Sequence, residues 1–562
     1  MEPSGVRWCR AQEPGCGVAF LLAGCLLFFA ACSQPPDRHG VPGKPGAGLP
    51  GLDTLVVIIE SSPANLDPRV GTDAQSERIG KLLFDSLLRR DEHFDVQPSL
   101  AMSWEIPDPR TYIFHLRSGV RFSDGRPLEA RDVKWTFDSV LNGSIRTPKA
   151  TAYSSVEGVE IPNRTTVVFH LRQPDAEFLW NVSEGAMGIV PYGSGAGFNR
   201  VLVGSGPFRL VRSEEDQEVV LARNDLYWGE KPRIERVRFA VVPDAITRAL
   251  ELRKGSADVA VNALTADMIL AMRNASAGSG APSKPDSGLV GWEPDFGLLG
   301  WRSEAGALQI RTSPGTIYAY LAMNLRDPIL RDVRVRRALA YAIDRQAIIH
   351  YLWRDLAQPA YSVLPPEQWA YEGNVQRYAY DPRRARQLLD SAGYPERNGV
   401  RFHLSMKTST EEDSRLLAAV LQQQLQGVGI ALDIRSFEFA TFYADVTKGA
   451  FQLCSLRWIG GNEYPDIFEH VFYSSNVPPH GANRGFYANP RVDRLIDEAR
   501  ESVDREPRRR LYAEIQQILA EDLPYINLWY LDNVVVHTSR VRNLTLSPSG
   551  DYNFLIRAEL HP

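Results

Sequence analysis

Hydrophobic and polar residues alternate along some stretches of this chain and recur at helical spacing along others. Residues 111–117 alternate with the period of two that is typical of a half-buried strand. The dipeptide Asp124-Gly125 then marks a turn, because glycine adopts positive φ without a steric cost. After it, apolar residues fall at helical spacing at Val133, Phe137, Val140 and Leu141. This region alone predicts a mixed α/β fold.

The same patterns continue through the rest of the chain. Short apolar runs predict strands at residues 55–59, 219–221, 237–242, 318–324, 431–434 and 451–457. Helix boundaries are marked by capping residues, by proline and by glycine. They predict helices at 332–353 with Asp332 as the N-cap, at 381–393, at 411–426 and from Asn489-Pro490 onward. Because strands and helices alternate here, we expect a largely parallel sheet covered by helices.

Length and composition narrow the class of protein. A chain of 562 residues is too long for a single hydrophobic core, so at least two domains are expected. The contents of 44% hydrophobic and 23% charged residues are ordinary for a globular protein. The net charge is -5, with both signs mixed along the chain. Without a basic surface to hold a polyanion, nucleic acid is excluded as the main partner.

The first residues resemble an export signal. Four of the five cysteines lie within the first 32 residues, around an apolar run at 17–31 that follows two arginines. That run has the length of a signal-peptide core and is short for a membrane span. It ends in Phe-Ala-Ala-Cys-Ser, which resembles the lipobox of bacterial lipoproteins and predicts lipidation at Cys32. Cys25 is an alternative, although cleavage there leaves an apolar segment at the mature N-terminus; an uncleaved anchor is a third reading.

Two segments are predicted to lack regular structure. Residues 33–51 are rich in proline and glycine and have no apolar period, as expected of a flexible tether. Residues 274–287, NASAGSGAPSKPDS, form a longer connection than usual, and they predict a surface insertion or a lid. The remaining cysteine, Cys454, stands alone in the body of the chain, which therefore has no cysteine framework for disulfides or a metal.

One stretch carries motifs in a distinctive order. Ser103-Trp104-Glu105 is followed by a Tyr-x-Phe-x-Leu-Arg strand, by Gly-Val-x-Phe-x-Asp-Gly at 119–125 and by Ala-x-Asp-Val at 130–133. This order resembles the signature of the family 5 extracellular solute-binding proteins, the peptide and nickel receptors of ATP-binding-cassette importers. Further landmarks of that family are similar to the segments at 204–242 and 335–345. The resemblance covers residues 55–560.

The resemblance implies an α/β fold of the two-lobed periplasmic-binding-protein type, with a two-strand hinge and an accessory subdomain in the first lobe. The implied organisation is a lipoprotein signal peptide at 1–32, a tether at 33–51, lobe I at 52–312 with the accessory subdomain at 97–200, lobe II at 313–522, and a return to lobe I at 523–562. The chain would then cross between the lobes twice, with a cleft between them.

The same resemblance implies the function. We expect the substrate-binding component of an importer, which captures peptides or similar small solutes in the interlobe cleft and delivers them to a membrane permease. The expected partners are the ligand, the permease and ATPase subunits, and the membrane through the lipid anchor, with the protein itself a monomer in the cell envelope. No cofactor is expected.

Signs of catalysis are missing from the sequence. It contains no G-x-S-x-G, H-E-x-x-H or G-x-x-x-x-G-K-[ST] motif, and histidines such as His470 and His480 are isolated. We therefore expect neither an enzyme nor a metal site. One alternative is an envelope hydrolase that acts on peptides or glycans through cleft carboxylates, since acidic residues are plentiful. Another is an envelope scaffold without a ligand.

The candidate ligand-binding residues also come from the resemblance. LRWIGGNEYPD at 456–466 is similar to the pocket strand and loop of the family, which suggests Trp458, Gly460, Gly461 and Asn462 as ligand contacts. A second loop, GANRGFYANP, adds Asn483. Tryptophan offers a flat apolar wall and one hydrogen-bond donor, although a core position is equally compatible with the pattern.

The pocket motif departs from that of the peptide receptors. Their Trp-x-Gly-Asp carries an aspartate that pairs with the ligand's amino terminus, and this chain has Gly461 in its place. The arginine that dipeptide receptors use for the ligand carboxylate also has no match at 405–413, where Lys407 is the single cation. The identity of the ligand therefore stays open.

Overall fold

Two long antiparallel strands, Gln309–Met323 and Tyr525–His537, run through the middle of the main sheet. The computed structural model describes residues 53–183, 185, 187–276, 308–460, 462–478, 481–502 and 504–561, which belong to one compact unit. The predicted signal peptide, the tether and both candidate lipidation cysteines lie outside the described residues, as do Gly461, His480 and most of the predicted insertion. The first residues of that insertion, 274–276, are helical, since they complete the helix Ala266–Ser276.

The strands of the described residues are β1 Thr54–Ile59, β2 Leu88–Arg90, β3 Val96–Pro98, β4 Ala101–Asp108, β5 Thr111–Leu116, β6 Val156–Asn163, β7 Thr166–Leu171, β8 Phe208–Glu214, β9 Glu218–Arg223, β10 Arg236–Val241, β11 Val259–Val261, β12 Gln309–Met323, β13 Ala357–Pro359, β14 Phe402–Ser409, β15 Ile430–Phe437, β16 Leu453–Trp458, β17 Tyr525–His537, β18 Val541–Arg542 and β19 Glu559–Leu560. The α-helices are α1 Ala74–Leu83, α2 Ala130–Leu141, α3 Phe178–Asn181, α4 Ala245–Lys254, α5 Ala266–Ser276, α6 Val333–Ala342, α7 Arg345–Leu352, α8 Pro382–Ser391, α9 Glu412–Gln426, α10 Phe439–Thr447, α11 Ile467–Phe472, α12 Pro490–Glu501 and α13 Arg505–Asp522.

The main sheet extends to either side of the central pair. Its order is β15-β14-β16-β12-β17-β11-β1-β10-β9-β8, and β13 pairs with β17 off this path. Parallel pairing joins β1 to its neighbours and β14 to its neighbours, whereas the other pairs are antiparallel. The parallel pairing expected where strands and helices alternate is confirmed for β14 with β15 and β16, but β12 pairs antiparallel and the sheet as a whole is mixed. Strands such as β8 and β9 are joined by three residues, too few for the crossover that a parallel pair requires.

Separate hydrophobic clusters fill the two halves of the sheet. On the β14–β16 side, helices α6 to α9 bury one face around residues such as Leu321 and Leu404, and α11 to α13 bury the other around Tyr320 and Phe468. On the β1 side, separate clusters pack around Leu221 and Ala249. We call the first half lobe II and the second lobe I. Because each has its own core, the halves can move about the strands that join them.

The accessory subdomain is built on a second sheet. Its order is β4-β5-β7-β6, with every pair antiparallel. The predicted strand at 111–117 is confirmed as β5, and Tyr112, Phe114 and Leu116 are its buried face. Helix α2, also predicted, packs on this sheet, and the ring of Phe137 meets that of Phe169 edge-on at 4.9 Å.

The predicted helix at 332–353 divides in two. Asp332 caps α6 as expected, because its carboxylate accepts a hydrogen bond from the Arg334 N–H. The helix then stops at Ile343, whose backbone is extended, and Asp344 caps α7 by accepting from the Ala347 N–H. The apolar residues keep helical spacing across this break, so the pattern predicted one continuous helix. The break occurs because the aspartate side chain accepts a hydrogen bond from a backbone N–H and starts a new helix. None of the described helices is both long and apolar enough to cross a membrane.

Removal of a helix cap provides a first test of the local structure. Asp381, an exposed residue, accepts a hydrogen bond from the Arg384 N–H at 2.9 Å and starts α8 before Pro382. Asp381→Ala is expected to lower the free energy of unfolding by about 1 kcal/mol. Asp381→Asn keeps a capping oxygen and is expected to stay near the wild type. Urea denaturation of the three proteins checks this, and an equal loss in both variants would contradict the capping role.

Candidate functional site at the lobe junction

The loop that carries the predicted ligand residues starts at the end of β16. We call residues 456–466 the Trp458 loop. Trp458 is the last residue of β16, opposite Tyr318 on β12, and its ring packs against the aromatic cluster of lobe II. Its indole N–H is buried and has no hydrogen-bond partner among the described residues. Trp458 thus combines a core position with an unused donor.

Gly460 has a backbone conformation that favours glycine. Its φ is +74°, a left-handed value that is costly for residues with a side chain. A Cβ atom there would have no neighbour within 4 Å, so crowding does not exclude a larger residue. The glycine therefore serves to turn the chain after Ile459. Gly461 lies outside the described residues.

The two predicted asparagines brace their own loops. Asn462 is 0% exposed, and its side-chain nitrogen donates to the carbonyls of Thr316 and Val363 at 2.8 and 3.2 Å. Asn483 is 1% exposed, and its amide bonds with the backbone of Tyr473 and Tyr487. Because these side-chain amides are hydrogen-bonded to the protein backbone, both residues hold the pocket loops in place. Ligand contact by either remains a prediction.

Arg484, which we did not single out from the sequence, brings the two predicted loops together. Its guanidinium lies 5.1 Å from the ring of Trp458 and 5.4 Å from that of Tyr443. Its terminal nitrogens donate to the hydroxyls of Tyr320 and Tyr443 at 2.8 and 3.0 Å. The one sequence signal for Arg484 was its position next to Asn483 in the same motif. Its burial, at 8% exposure, depends on partners distant in the sequence and could not be predicted from the motif.

Aromatic residues from the hinge strands form the floor beneath Arg484. Tyr318 and Tyr320 alternate along β12, so they project from one face of the sheet, and their rings are 5.5 Å apart and nearly parallel. Tyr525 of β17 extends the stack at 4.5 Å from Tyr320. His470 meets Trp458 edge-on at 5.9 Å. Burial lowers the pKa of His470, with Glu469 acting against it, so this imidazole stays neutral at pH 7.

The Trp458 loop also reaches across to lobe I. The carboxylate of Glu463 pairs with the guanidinium of Arg90 at 3.3 Å and accepts a hydrogen bond from the hydroxyl of Thr316. Arg90 in turn lies 4.1 Å from the ring of Trp180, which packs against Tyr464. Since Thr316 belongs to β12, one chain of contacts links the hinge, the loop and the accessory subdomain.

A pair of carboxyl groups lies in the same junction. Glu177, just before α3 of the accessory subdomain, is hydrogen-bonded to Asp466 at the end of the Trp458 loop. Burial, followed by the negative charge of Asp466, raises the pKa of Glu177 to about 9, so Glu177 carries the proton of the pair at neutral pH. Asp466 also accepts from the Tyr512 hydroxyl at 3.0 Å and from Arg500 at 3.1 Å.

A cavity of about 820 Å³ opens beside Glu463. Its walls come mainly from lobe I, from residues 81–99, 227–230 and 543–557, and Glu463 is the lobe II residue in its lining. The lining includes cations such as Lys81 and Arg117, acids such as Asp91, and the ring of Trp228. This volume is in the range of small-molecule and peptide sites. Trp458 does not line it, so the aromatic floor and this cavity are separate features.

We next consider metal ligands and the thiol of Cys454 among the described residues. No group of three or more histidine, cysteine or acidic side chains is placed there to hold a metal ion. Cys454 is buried, and burial raises the pKa of its thiol to about 12, which keeps it from acting as a nucleophile at neutral pH.

Comparisons with known proteins identify the family. The family model described as bacterial extracellular solute-binding proteins, family 5 Middle, matches residues 95–478. The dipeptide-binding protein of Escherichia coli K12 is 27% identical over 534 residues, which cover 89% of this chain and 94% of that protein. The heme-binding protein A of Haemophilus influenzae is 26% identical over 563 residues, covering 94% of this chain and 96% of that protein.

Solved structures agree with this assignment. The oligopeptide-binding protein AppA of Bacillus subtilis, in complex with a nonapeptide, has a TM-score of 0.68 and 25% identity, covering 91% of this chain and 99% of that one. HbpA2 of Haemophilus parasuis, at 24% identity, shares the fold with a TM-score of 0.76, and the match covers 91% of this chain and 100% of that one.

These findings confirm the resemblance read from the sequence, the two-lobed fold and the solute-binding role, and they favour that role over the hydrolase alternative. The chain belongs to family 5 of the bacterial extracellular solute-binding proteins.

Proposed function

We propose that this protein is the substrate-binding component of an ATP-binding-cassette importer, and that it captures peptides or solutes of similar size between its lobes for delivery to a membrane permease. The observation that carries the proposal is the pair of long strands, β12 and β17, that joins two separately packed lobes. A ligand that touches both lobes stabilises their closed arrangement. A permease can then distinguish the loaded protein from the empty one.

A peptide ligand is supported by the relatives. One is described as dipeptide-binding, and the solved AppA structure holds a nonapeptide. We propose that Trp458, Gly460 and Gly461 contact the ligand, and that Asn462 and Asn483 act by fixing the two loops. The protein itself performs no catalysis in this proposal. Lipidation at Cys32, or at Cys25, would tether a monomer in the cell envelope beside its permease and ATPase subunits.

Ligand capture is testable with the protein purified gently from residue 33 onward. Native mass spectrometry, followed by denaturation, is expected to release a set of peptide masses. Added peptide at 100 times its dissociation constant is expected to raise the free energy of unfolding by about 2.7 kcal/mol, which a thermal melt detects. A single released mass would identify a specialised receptor. Peptide hydrolysis by the purified protein, without any ligand-induced rise in melting temperature, would contradict the proposal and favour the hydrolase.

A further inference from the structure

Arg484 is a buried cation without a matching anion. It is 8% exposed, and no carboxylate of the described residues lies within ion-pairing distance of its guanidinium. Burial of an unpaired charge is costly, so buried arginines are normally paired with acids. Two of its five N–H groups are used by the phenol hydroxyls of Tyr320 and Tyr443. The other donors have no protein acceptor in the part of the chain that the structure describes.

The acids of the surrounding elements are already paired elsewhere. Asp445 of α10 binds Lys407 at 2.6 Å, and Glu469 of α11 lies 3.6 Å from Arg500. In the Trp458 loop, Glu463 pairs with Arg90. Within each of these pairs the acidic and basic charges offset each other, whereas the positive charge of Arg484 has no such partner. The local field next to Trp458 is therefore one that attracts an anion.

A second unused donor lies beside the first. The indole N–H of Trp458 is buried without a partner, and the ring that carries it is the one over which Arg484 lies. Unpaired buried donors are uncommon in proteins, so the indole N–H next to an arginine without a carboxylate partner indicates a missing acceptor. Tyr443, 38% exposed, and Ile459, 67% exposed, flank the two donors, so the site borders the protein surface.

We propose that Arg484 and Trp458 bind a carboxylate of the transported solute. This inference rests on the proposed function and names the chemical class of its ligand. Each terminal nitrogen of Arg484 gives one N–H to a tyrosine hydroxyl, so one N–H on each of them, together with the Nε–H, remains for a further acceptor. A carboxylate can accept two such hydrogen bonds from one guanidinium in parallel. The carboxylate belongs either to the C-terminus of a peptide or to an acidic side chain.

The test compares acids with amides as probes. Three peptides are titrated calorimetrically into the purified protein: Ala-Ala-Ala, its C-terminal amide, and the C-terminal amide of Ala-Glu-Ala. At least one of the two acid-bearing probes is expected to bind the wild type about tenfold or more tightly than the fully amidated one, since hydrogen bonds to a charged group contribute more than neutral ones. The acid that shows the preference identifies the source of the carboxylate.

Variants assign the preference to the two residues. Arg484→Met is expected to abolish the preference for acids, so that each acid-bearing probe binds no more tightly than Ala-Ala-Ala amide. Arg484→Lys keeps the positive charge but lacks the planar guanidinium, so it is expected to retain part of the preference for acid-bearing probes. Trp458→Phe removes the N–H but keeps a ring, and is expected to reduce the preference. Arg491→Met is the matched control, because Arg491 is exposed on α12 and pairs with Glu514.

The outcomes separate this inference from the proposed function. If acid and amide probes bind the wild type equally well, the carboxylate site is wrong and the peptide-binding function stands. If the preference survives in Arg484→Met, the site lies elsewhere and this assignment is again wrong. If no probe binds, acid or amide, both the carboxylate site and the peptide function are contradicted. A melting temperature for Arg484→Lys near that of the wild type shows that the fold is retained.

Discussion

Gly315→Ala is expected to lower the free energy of unfolding by about 3 kcal/mol, because a methyl group at this position of β12 would clash with the backbone of β17. A Cβ atom at this position would be 2.3 Å from the carbonyl oxygen of Leu531 and 3.1 Å from the backbone nitrogen of Asn533, both on β17. Backbone atoms cannot move aside as a flexible side chain can. The hinge strands must therefore separate locally to admit a methyl group.

The matched control is another glycine in a strand. Gly158 of β6 has no atom within 4 Å of its Cβ position, so Gly158→Ala is expected to change the free energy of unfolding by less than about 1 kcal/mol. Denaturant titration of both variants gives the comparison. A Gly315→Ala protein as stable as the Gly158→Ala protein would show that the hinge accepts the methyl group without strain.

The effect of Gly315→Ala on the candidate site follows from its neighbour. Thr316 accepts a hydrogen bond from Asn462 through its carbonyl and donates one to Glu463 through its hydroxyl. A displacement of β12 at Gly315 therefore moves the base of the Trp458 loop. Weaker ligand binding, beyond what the loss of stability explains, is the expected second consequence.

Local signals in the sequence were sufficient to predict individual elements. The alternation in β5 and the cap at Asp381 depend on residues close in the chain, and both appear as expected. The first half of β12 was missed because Pro314 and Gly315 are typical of a loop. What keeps it in a strand is pairing with β17, some two hundred residues later. Such nonlocal pairing leaves no periodic signal in either segment.

The chemistry of the candidate site was less accessible to sequence reasoning. An arginine is usually solvated, and nothing within GANRGFYANP indicates that Arg484 is buried under tyrosines from β12 and α10. The pairing of Glu177 with Asp466 likewise joins the accessory subdomain to lobe II between residues that are far apart in the sequence. The motif LRWIGGNEYPD and the loop GANRGFYANP could be recognised from the sequence, whereas the burial of Arg484 depends on contacts with residues distant in the chain.

Raising the pH from 6 to 10 is expected to favour separation of the lobes. In the arrangement of this structure, where the two lobes meet at Glu177 and Asp466, the pKa of Glu177 is about 9, because of burial first and of Asp466 second; we call this arrangement closed. On separation the carboxyl regains water and its ordinary pKa, so the closed form holds one proton more than the open form between about pH 5 and 9. The closure constant is therefore greatest at low pH and falls as the pH rises, by up to about tenfold per pH unit across that interval.

The charged and titratable groups that face the pair set the size of this effect without changing its direction. They are Asp175, Arg500, Arg508, Tyr464 and Tyr512. Arg500 stabilises both carboxylates, whereas Asp175 opposes ionisation of Glu177. These neighbours stay in place when only Glu177 is replaced, so a single substitution isolates its proton.

Glu177→Gln provides the decisive comparison, because a carboxamide donates a hydrogen bond to Asp466 at every pH and cannot ionise. The distance between spin labels on the two lobes is measured across pH 6 to 10 in the wild type, in Glu177→Gln and in Glu157→Gln. Glu157 is exposed on β6, so Glu157→Gln is the matched control, and its lobes are expected to separate over the same pH range as those of the wild type. Glu177→Gln is expected to stay closed over the same range. If it opens at the same pH as the wild type, the proton on Glu177 does not hold the lobes together, and the contacts of Glu463 and Tyr464 must do so alone.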